Sequence, residues 1–374
     1  MINLKDTYPL WNLDKFYYKW DDKTLRIGTD DTGSWNIPDD NGTWKYMISI
    51  CNGNLTTNEI CIDVSTKYSI EQAIILESLK QLEQNGCLTF LEERFILNNW
   101  TNRYKTNIAY FTSKNINGIS TQKKLNSLKI TILGLGGGGF TILSNLISLG
   151  IEDFHIVDYD TVELSNLNRQ IIFKESDLGK FKVEVGMEYA KSRNSNLKIS
   201  QSKKKMNTVA DIESEISDSD WVFCCMDEPA YVAQRLVSKA CFNLKKPVVF
   251  GFCQKENGRT FIVNPFKTGC VDCLFTQIAN EQFVHLVSAL KTSDFKPVTS
   301  ATSITINLLC DLMIKNWLDN VVYGKKNENQ IIRLDFNNFQ ITKVVDFKKH
   351  PSCPTCGDKQ NLTKSELFNI IPIL

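Results

Sequence analysis

Five glycines in one short run, Gly134, Gly136, Gly137, Gly138 and Gly139, follow the apolar stretch LKITIL. A loop without Cβ atoms lets backbone N–H groups approach phosphate oxygens, and a helix starting there adds its positive end. Taken alone, the pattern suits NAD or FAD as well as ATP. The next stretch narrows the choice. DYDTVELSNLNRQ places Asp158 at the end of a second apolar segment, where an acid can hold ribose hydroxyls. Asn166, Arg169 and Gln170 follow, and Lys182 comes shortly after in GKFKVE. Arg169 and Lys182 supply two cations for a triphosphate, which a nicotinamide site does not need. Asp227, in CCMDEP, ends a further apolar segment and could hold Mg²⁺ through one carboxylate, with phosphates and water completing the shell.

Two Cys-x-x-Cys pairs form a second constellation: Cys270 and Cys273 in TGCVDC, Cys353 and Cys356 in PSCPTCG. Four thiolates make a tetrahedral zinc site with no open position, so its role would be structural, tying the later segment back to the α/β core. The remaining cysteines include Cys51, Cys61, Cys87, Cys241 and Cys310 in apolar surroundings, read as buried small hydrophobes. The sequence has no cysteine between Cys273 and Cys310, and Cys224 and Cys225 read as core strand positions.

The elements that must carry these residues alternate. LKITILG reads as a strand, TILSNLISLG as a helix and IEDFHIVDYD as a strand. KFKVEVGMEYAKSRN reads as a helix, and LKISQSKKK and DSDWVFCCMDEP as strands. AYVAQRLVSKACFNL is a helix and PVVFGFC a strand. Alternation of this kind predicts a doubly wound, mainly parallel α/β sheet. The earlier region differs. FYYKWDD, KTLRIGTD and GSWNIPDD read as short strands, followed by helices over TWKYMISICNG, LTTNEICIDV and SIEQAIILESLKQLEQ. In the last of these, Ile75, Leu79 and Leu82 fall on one face, Gly86 stops the helix, and CLTFLE closes as a strand. The expectation is a small winged-helix-like α+β domain over residues 1–98 and the α/β domain over residues 99–374. LNNWTNRYKTN, rich in Asn and Thr, reads as a linker or extended arm.

Composition excludes several classes. The chain has 374 residues, 42% hydrophobic and 23% charged, which suits a globular protein of two domains or three. Lys and Arg number 43 against 42 Asp and Glu, so no global charge calls for nucleic acid or an anionic membrane. No apolar run reaches the length of a membrane span. The opening MINLKDTYPLWNLDKFYYKW carries no charged-then-apolar signal pattern, so a cytoplasmic location is expected, and the 12 cysteines are not read as a disulfide scaffold.

GLGGGG, DYDTVELSNLNRQ, GKFKVE and the strand ending in Asp227 together resemble the ubiquitin-activating-enzyme superfamily in its bacterial MoeB/ThiF branch, over about Arg103 to Gly357. The resemblance implies ATP-dependent adenylation of a carboxylate by a homodimer. By motif position it implies that Gly134, Gly136, Gly137, Gly139, Asp158, Asp160 and Asn166 contact the nucleotide. Arg169 and Lys182 would contact phosphates, Asp227 would hold Mg²⁺, and the four cysteines would hold zinc. One departure stands out. The family carries RYxRQ before its first strand, and its second arginine reaches ATP in the partner subunit; here the segment is Arg103-Tyr104-Lys105-Thr106-Asn107, with Thr106 in that arginine's place. Lys105 or Arg103 could substitute, although lysine does not reproduce a bidentate clamp.

The missing cysteine after Cys273 argues against a thioester intermediate. The chain more closely resembles the peptide-adenylating enzymes of microcin C biosynthesis, which combine a peptide-clamp domain with a zinc-bound adenylation domain and an FKPxT-like segment, here Phe295-Lys296-Pro297-Val298-Thr299. The resemblance implies a precursor or leader peptide as partner, added as a strand to the sheet of the first domain. Three other readings stay open: activation of a ubiquitin-like sulfur carrier, delivery of a leader peptide to a separate cyclodehydratase, and side-chain carboxylate activation for cross-linking.

Overall fold

A computed structural model describes residues 3–29, 33–114, 116–228, 231–265, 267–292, 300–324, 329–351 and 353–357. The chain divides into two compact units, Met1–Leu125 and Asn126–Leu374.

In the first unit, β1 (Tyr8–Trp11) pairs antiparallel with β5 (Leu88–Leu91). β2 (Tyr17–Lys19), β3 (Thr24–Thr29) and β4 (Gly33–Pro38) form an antiparallel sheet in that order. Between the sheets in sequence lie helices α1 (Thr43–Ile50), α2 (Thr57–Tyr68) and α3 (Gln72–Gln84). α2 starts at a capping box, Thr56 accepting from the Glu59 N–H while the Glu59 carboxylate accepts from the Thr56 N–H. Ile75, Leu79 and Leu82 of α3 pack with Leu25, Ile27, Met47, Ile60 and Val64 in one core. Gly86, at φ 66°, follows the end of α3.

The segment expected to be a linker or extended arm is helical. α4 (Asn99–Arg103) and α5 (Lys105–Thr112) lie there, followed by α6 (Gly118–Asn126). The Asn and Thr residues that read as loop formers act as caps: Asn98 Oδ1 accepts from the Thr101 N–H at 2.9 Å and Thr101 Oγ1 accepts from the Asn98 N–H at 2.8 Å. Tyr104, Ile108 and Phe111 then supply a buried face.

The second unit is built on a mainly parallel sheet, eight-stranded among the described residues. β6 (Lys129–Leu133), β7 (Asp153–Val157), β8 (Lys198–Ser202), β9 (Trp221–Cys224) and β10 (Val248–Gln254) are parallel, in the order β8-β7-β6-β9-β10. β11 (Asn257–Val263), β12 (Gln330–Asp335) and β13 (Ile341–Asp346) extend it antiparallel. Strand order reverses between β6 and β9, and the crevice outside the carboxyl ends of those strands is where doubly wound sheets bind ligands. α7 (Gly137–Leu149), α8 (Lys182–Arg193) and α13 (Ser303–Tyr323) cover one face, with Trp317 of α13 edge-on to Phe223 of β9. α9 (Val209–Ile216), α10 (Val232–Asn243) and α11 (Val271–Ile278) cover the other, through Ile212, Ile216, Leu236, Val237, Val271 and Leu274. α12 (Glu281–Thr292) lies between α11 and α13 in sequence. Among the described residues, no helix is long and apolar enough to cross a membrane.

Candidate active site

β6 turns into α7 through glycines held by close backbone approach. Gly134 adopts φ 89°, and its N–H donates to the Val157 carbonyl at 2.8 Å. A Cβ on Gly134 would lie 2.8 Å from the Cys225 carbonyl oxygen, so the ends of β6 and β9 are pressed together. A Cβ on Gly139 would lie 1.9 Å from the Gly134 carbonyl oxygen, which only glycine avoids. Gly136 is the N-cap of α7 and provides no side-chain hydrogen bond to its first turn. Helices leave their first N–H groups without internal partners, and an anion satisfies them. The surroundings of Gly136 are open: its nearest neighbour would be Gln170 Nε2, at 3.8 Å from a Cβ.

Asp158, just past β7, joins the two loops. It is 7% exposed; Oδ2 accepts from the Leu135 N–H at 2.6 Å and Oδ1 from the Asp160 N–H at 2.8 Å. Burial raises its carboxyl above the ordinary range, against the pull of those N–H donors and of Lys182. Lys182, the first residue of α8, is buried, and its Nζ contacts Asp160 Oδ2 at 2.8 Å. The lysine thus enters the site in a fixed direction, held by a carboxylate that is itself half exposed. Arg169 is half-buried, its Nη1 donating to the Ser165 carbonyl at 2.7 Å and to Asn168 Oδ1 at 3.1 Å. Asn166 is buried, and its Oδ1 accepts from the Glu163 N–H at 3.1 Å, so part of its capacity goes to shaping the turn that presents Arg169.

Asp227 lies past β9 on the other side of the crevice. Its side chain is solvent-exposed, yet enough protein surrounds it that desolvation raises its carboxyl, adjacent Glu228 adds to the rise, and Lys182 and Arg169 oppose it. Asp158, Asp160, Lys182, Arg169 and Asp227 therefore share one electrostatic neighbourhood, although they come from two strand ends, a turn and a helix start. Tyr159 stands among the same acids, and Asp160, Glu228, Asp158 and Asp227 all raise its phenol, after burial. Glu228, whose signal in the sequence is its place beside Asp227 in CCMDEP, and the pairing of Asp160 with Lys182 go beyond the expectations from sequence.

The second constellation also assembles. Cys270, Cys273, Cys353 and Cys356 are all buried, and their sulfurs lie within 4.8 Å of one another. Cys270 and Cys353 Sγ are 3.4 Å apart, Cys273 and Cys356 Sγ 3.3 Å, and Cys270 and Cys273 Sγ 3.9 Å. A tetrahedral ion with metal–sulfur bonds of about 2.3 Å needs sulfurs about 3.8 Å apart. Backbone N–H groups already face the sulfurs: His350 donates to Cys273 Sγ at 3.2 Å and Thr355 to Cys353 Sγ at 3.4 Å. Hydrogen bonding among the thiols shares their protons unevenly: Cys273 and Cys353 are held below the ordinary thiol range, and Cys270, mainly by burial, and Cys356 above it. The donor set fits zinc in a closed, four-sulfur shell.

Comparison with known proteins places this architecture. Residues 73–355 match the ThiF family. The chain belongs to that family. Over 306 residues it is 28% identical to the adenylyltransferase and sulfurtransferase UBA4 of Lodderomyces elongisporus, a match covering 80% of this chain and 65% of that relative. The chain thus spans less than two thirds of that relative's length. Its fold is similar to that of E. coli MccB in a complex with AMPCPP and MccA, with a TM-score of 0.65 at 22% identity over 93% of this chain and 99% of that one. The microcin C7 biosynthetic enzyme MccB in complex with N-formylated MccA is similar to the same degree, with a TM-score of 0.65 at 22% identity over 93% and 99%.

In this ThiF-family chain the other cysteines are poor nucleophiles. Burial pushes the Cys224 thiol up to about 12 and the Cys225 thiol well above its ordinary value. Arg103 ends α4, and Lys105 and Thr106 open α5; all three are exposed. Phe295-Lys296-Pro297-Val298-Thr299 lies outside the described residues.

Proposed function

We propose that the protein is an ATP-dependent adenylyltransferase that activates a carboxylate of a ribosomally made precursor peptide, in the biosynthesis of a modified peptide of microcin C type. The observation that carries the nucleotide part is the meeting of the glycine loop, the Asp160–Lys182 pair, Arg169 and Asp227 at the strand-order reversal. The peptide part is supported by the residues that precede the ThiF match at 73–355 and by the fold likeness to MccB, seen with AMPCPP and MccA.

In this reading the peptide docks on residues 1–98, and its carboxylate reaches the α-phosphate of ATP at the glycine loop. In-line attack forms the acyl–phosphate bond and breaks the bond to pyrophosphate, giving acyl-AMP. First-turn N–H groups of α7 hold phosphate oxygens, and Lys182 and Arg169 offset charge that builds up in the transition state. Asp227 would hold Mg²⁺, which supplies further charge compensation on the phosphates. Asp158 receives the ribose. With no cysteine after Cys273 until Cys310, the acyl group passes directly to its acceptor rather than through a thioester.

ATP–pyrophosphate exchange with short candidate peptides tests this. Peptide-dependent exchange is the expected result; tight peptide binding without exchange would leave a recognition module in place of an enzyme. A second reading, activation of a ubiquitin-like sulfur carrier, is favoured by the likeness to UBA4 over 80% of the chain. Exchange driven by a carrier protein ending in Gly-Gly, and by no peptide, would select it.

A further inference from the structure

One buried ion pair lies outside both centres and touches each through its neighbours. Arg235, on α10, and Asp272, in the loop-to-helix step between Cys270 and Cys273, are each 1% exposed. Arg235 Nε donates to Asp272 Oδ1 at 2.6 Å, and Thr355 Oγ1 donates to Asp272 Oδ2 at 2.5 Å. Thr355 stands between Cys353 and Cys356, so one carboxylate joins both cysteine pairs to α10. Ser238, one turn on, accepts from the Val271 N–H at 3.1 Å and holds α10 to the same knuckle. The same first turn of α10 also grips the acid loop. Gln234, beside Arg235 and 4% exposed, donates from Nε2 to the Met226 carbonyl at 3.0 Å, and Met226 is followed by Asp227.

A charged pair in a core is an expensive way to join a helix to a metal knuckle, since apolar residues of like volume do as well for stability. It does fix register, because a guanidinium meets a carboxylate in few geometries. The hydrophobic anchoring of α10 through Ala233, Leu236, Val237 and Ala240 makes it a fixed base from which adjacent side chains reach the knuckle and the acid loop.

We propose that Arg235 and Gln234 are positioning residues that couple the four-cysteine centre to the Asp227 loop, so that a metal held by the cysteines and Mg·ATP at the loop tighten each other's binding. The inference rests on the nucleotide reading above, with Asp227 as the magnesium ligand. Coupling between two ligands is reciprocal: each changes the other's affinity by the same factor.

The test uses the full chain loaded with zinc. Zinc affinity is measured by competition with a chelator, with and without Mg·ATP, and Mg·ATP affinity by calorimetry. In the wild type, Mg·ATP should tighten zinc binding by about tenfold. Gln234→Met should reduce that factor to within about twofold and leave zinc affinity without nucleotide unchanged. Gln234 Oε1 has no hydrogen-bond partner among the described residues, so this change gives up one bond and should not unfold the chain. The pair Arg235→Met with Asp272→Leu removes both charges together, leaves no buried ion unpaired, and should also abolish coupling. A wild type that binds Mg·ATP without any change in zinc affinity overturns the inference, as does coupling that persists in either variant. A wild type that fails to bind Mg·ATP overturns the nucleotide reading instead, and is distinguished by the calorimetry alone.

Discussion

The glycine crevice and the cysteine cluster lie in the same α/β unit and collect their residues in different ways. The crevice gathers backbone N–H groups, two cations and several acids around three strand ends, and leaves Gly136 in open surroundings and Asp227 exposed. The cluster gathers four sulfurs from two short segments and surrounds them with protein. Open donors can exchange ligands; closed ones hold a single ion and spend its binding energy on folding. The difference shows in the titrating groups. Asp158 and Asp227 carry raised carboxyls, because the protein around them takes the place of water that would stabilise the charge. The four thiols share their protons among themselves, Cys273 and Cys353 held low and Cys270 and Cys356 held high.

The comparison breaks first at the cluster. Cys273→Ser should lose the metal and destabilise the fold by at least about 4 kcal/mol. At roughly 2–4 °C per kcal/mol for a unit of this size, the thermal midpoint should fall by about 10 °C or more. Calorimetry with metal analysis checks this. A serine variant that melts with the wild type would mean that the four thiols are merely buried. At the crevice, Asp227→Ala should lower ATP–pyrophosphate exchange about 10²–10³-fold, the scale of losing one electrostatic stabiliser of a transition state. The same variant should melt near the wild type and bind peptide as before. Retained exchange would remove Asp227 from the magnesium site.

The glycines allow a finer cut within the crevice. Gly139→Ala drives a methyl group into the Gly134 carbonyl oxygen and should cost about 1–3 kcal/mol. Gly138→Ala, whose Cβ would meet only Cys310 Sγ at 3.8 Å, should change stability by about 0.5–1 kcal/mol at most and in the favourable direction, through helix propensity. Urea titrations of the two variants decide the matter. Equal effects would show that the loop is not shaped by the Gly134–Gly139 approach.

These centres were legible in the sequence because their chemistry is local. DYDTVELSNLNRQ carries an acid, an amide and an arginine within one turn-rich segment, and each Cys-x-x-Cys declares itself within four residues. What was not legible depended on distant partners. β1 contains Pro9, which argues against a strand, but it pairs with β5 from the far side of three helices. β13 is nearly all exposed, so no apolar alternation marks it, and its partner β12 defines it. The Asn and Thr of residues 97–107 suggest a loop by composition; two of them are caps, and only the buried Tyr104, Ile108 and Phe111 show why helices form. The Asp160–Lys182 contact is likewise invisible along the chain, because α8 brings the lysine back beside β7.

The smallest expected effect separates the centres by sign. The raised carboxyl of Asp227 means that the folded chain binds its proton more tightly than the unfolded chain does. Between the ordinary aspartate value of about 4 and the folded value, the native state therefore carries the extra proton, and stability falls as pH rises through that window. Above the window the loss persists. Asp227→Asn removes it, so without nucleotide the asparagine variant should melt slightly above the wild type at neutral pH, and the gap should close at pH 4 and below. The gain stays small because Asp227 is exposed and water screens its charge. Melting curves from pH 4 to 8 in the absence of Mg²⁺ and ATP measure it. A variant that melts below the wild type at neutral pH would show that Asp227 supports the empty fold, as the cysteines do, and the contrast between a centre that costs stability and one that supplies it would not hold.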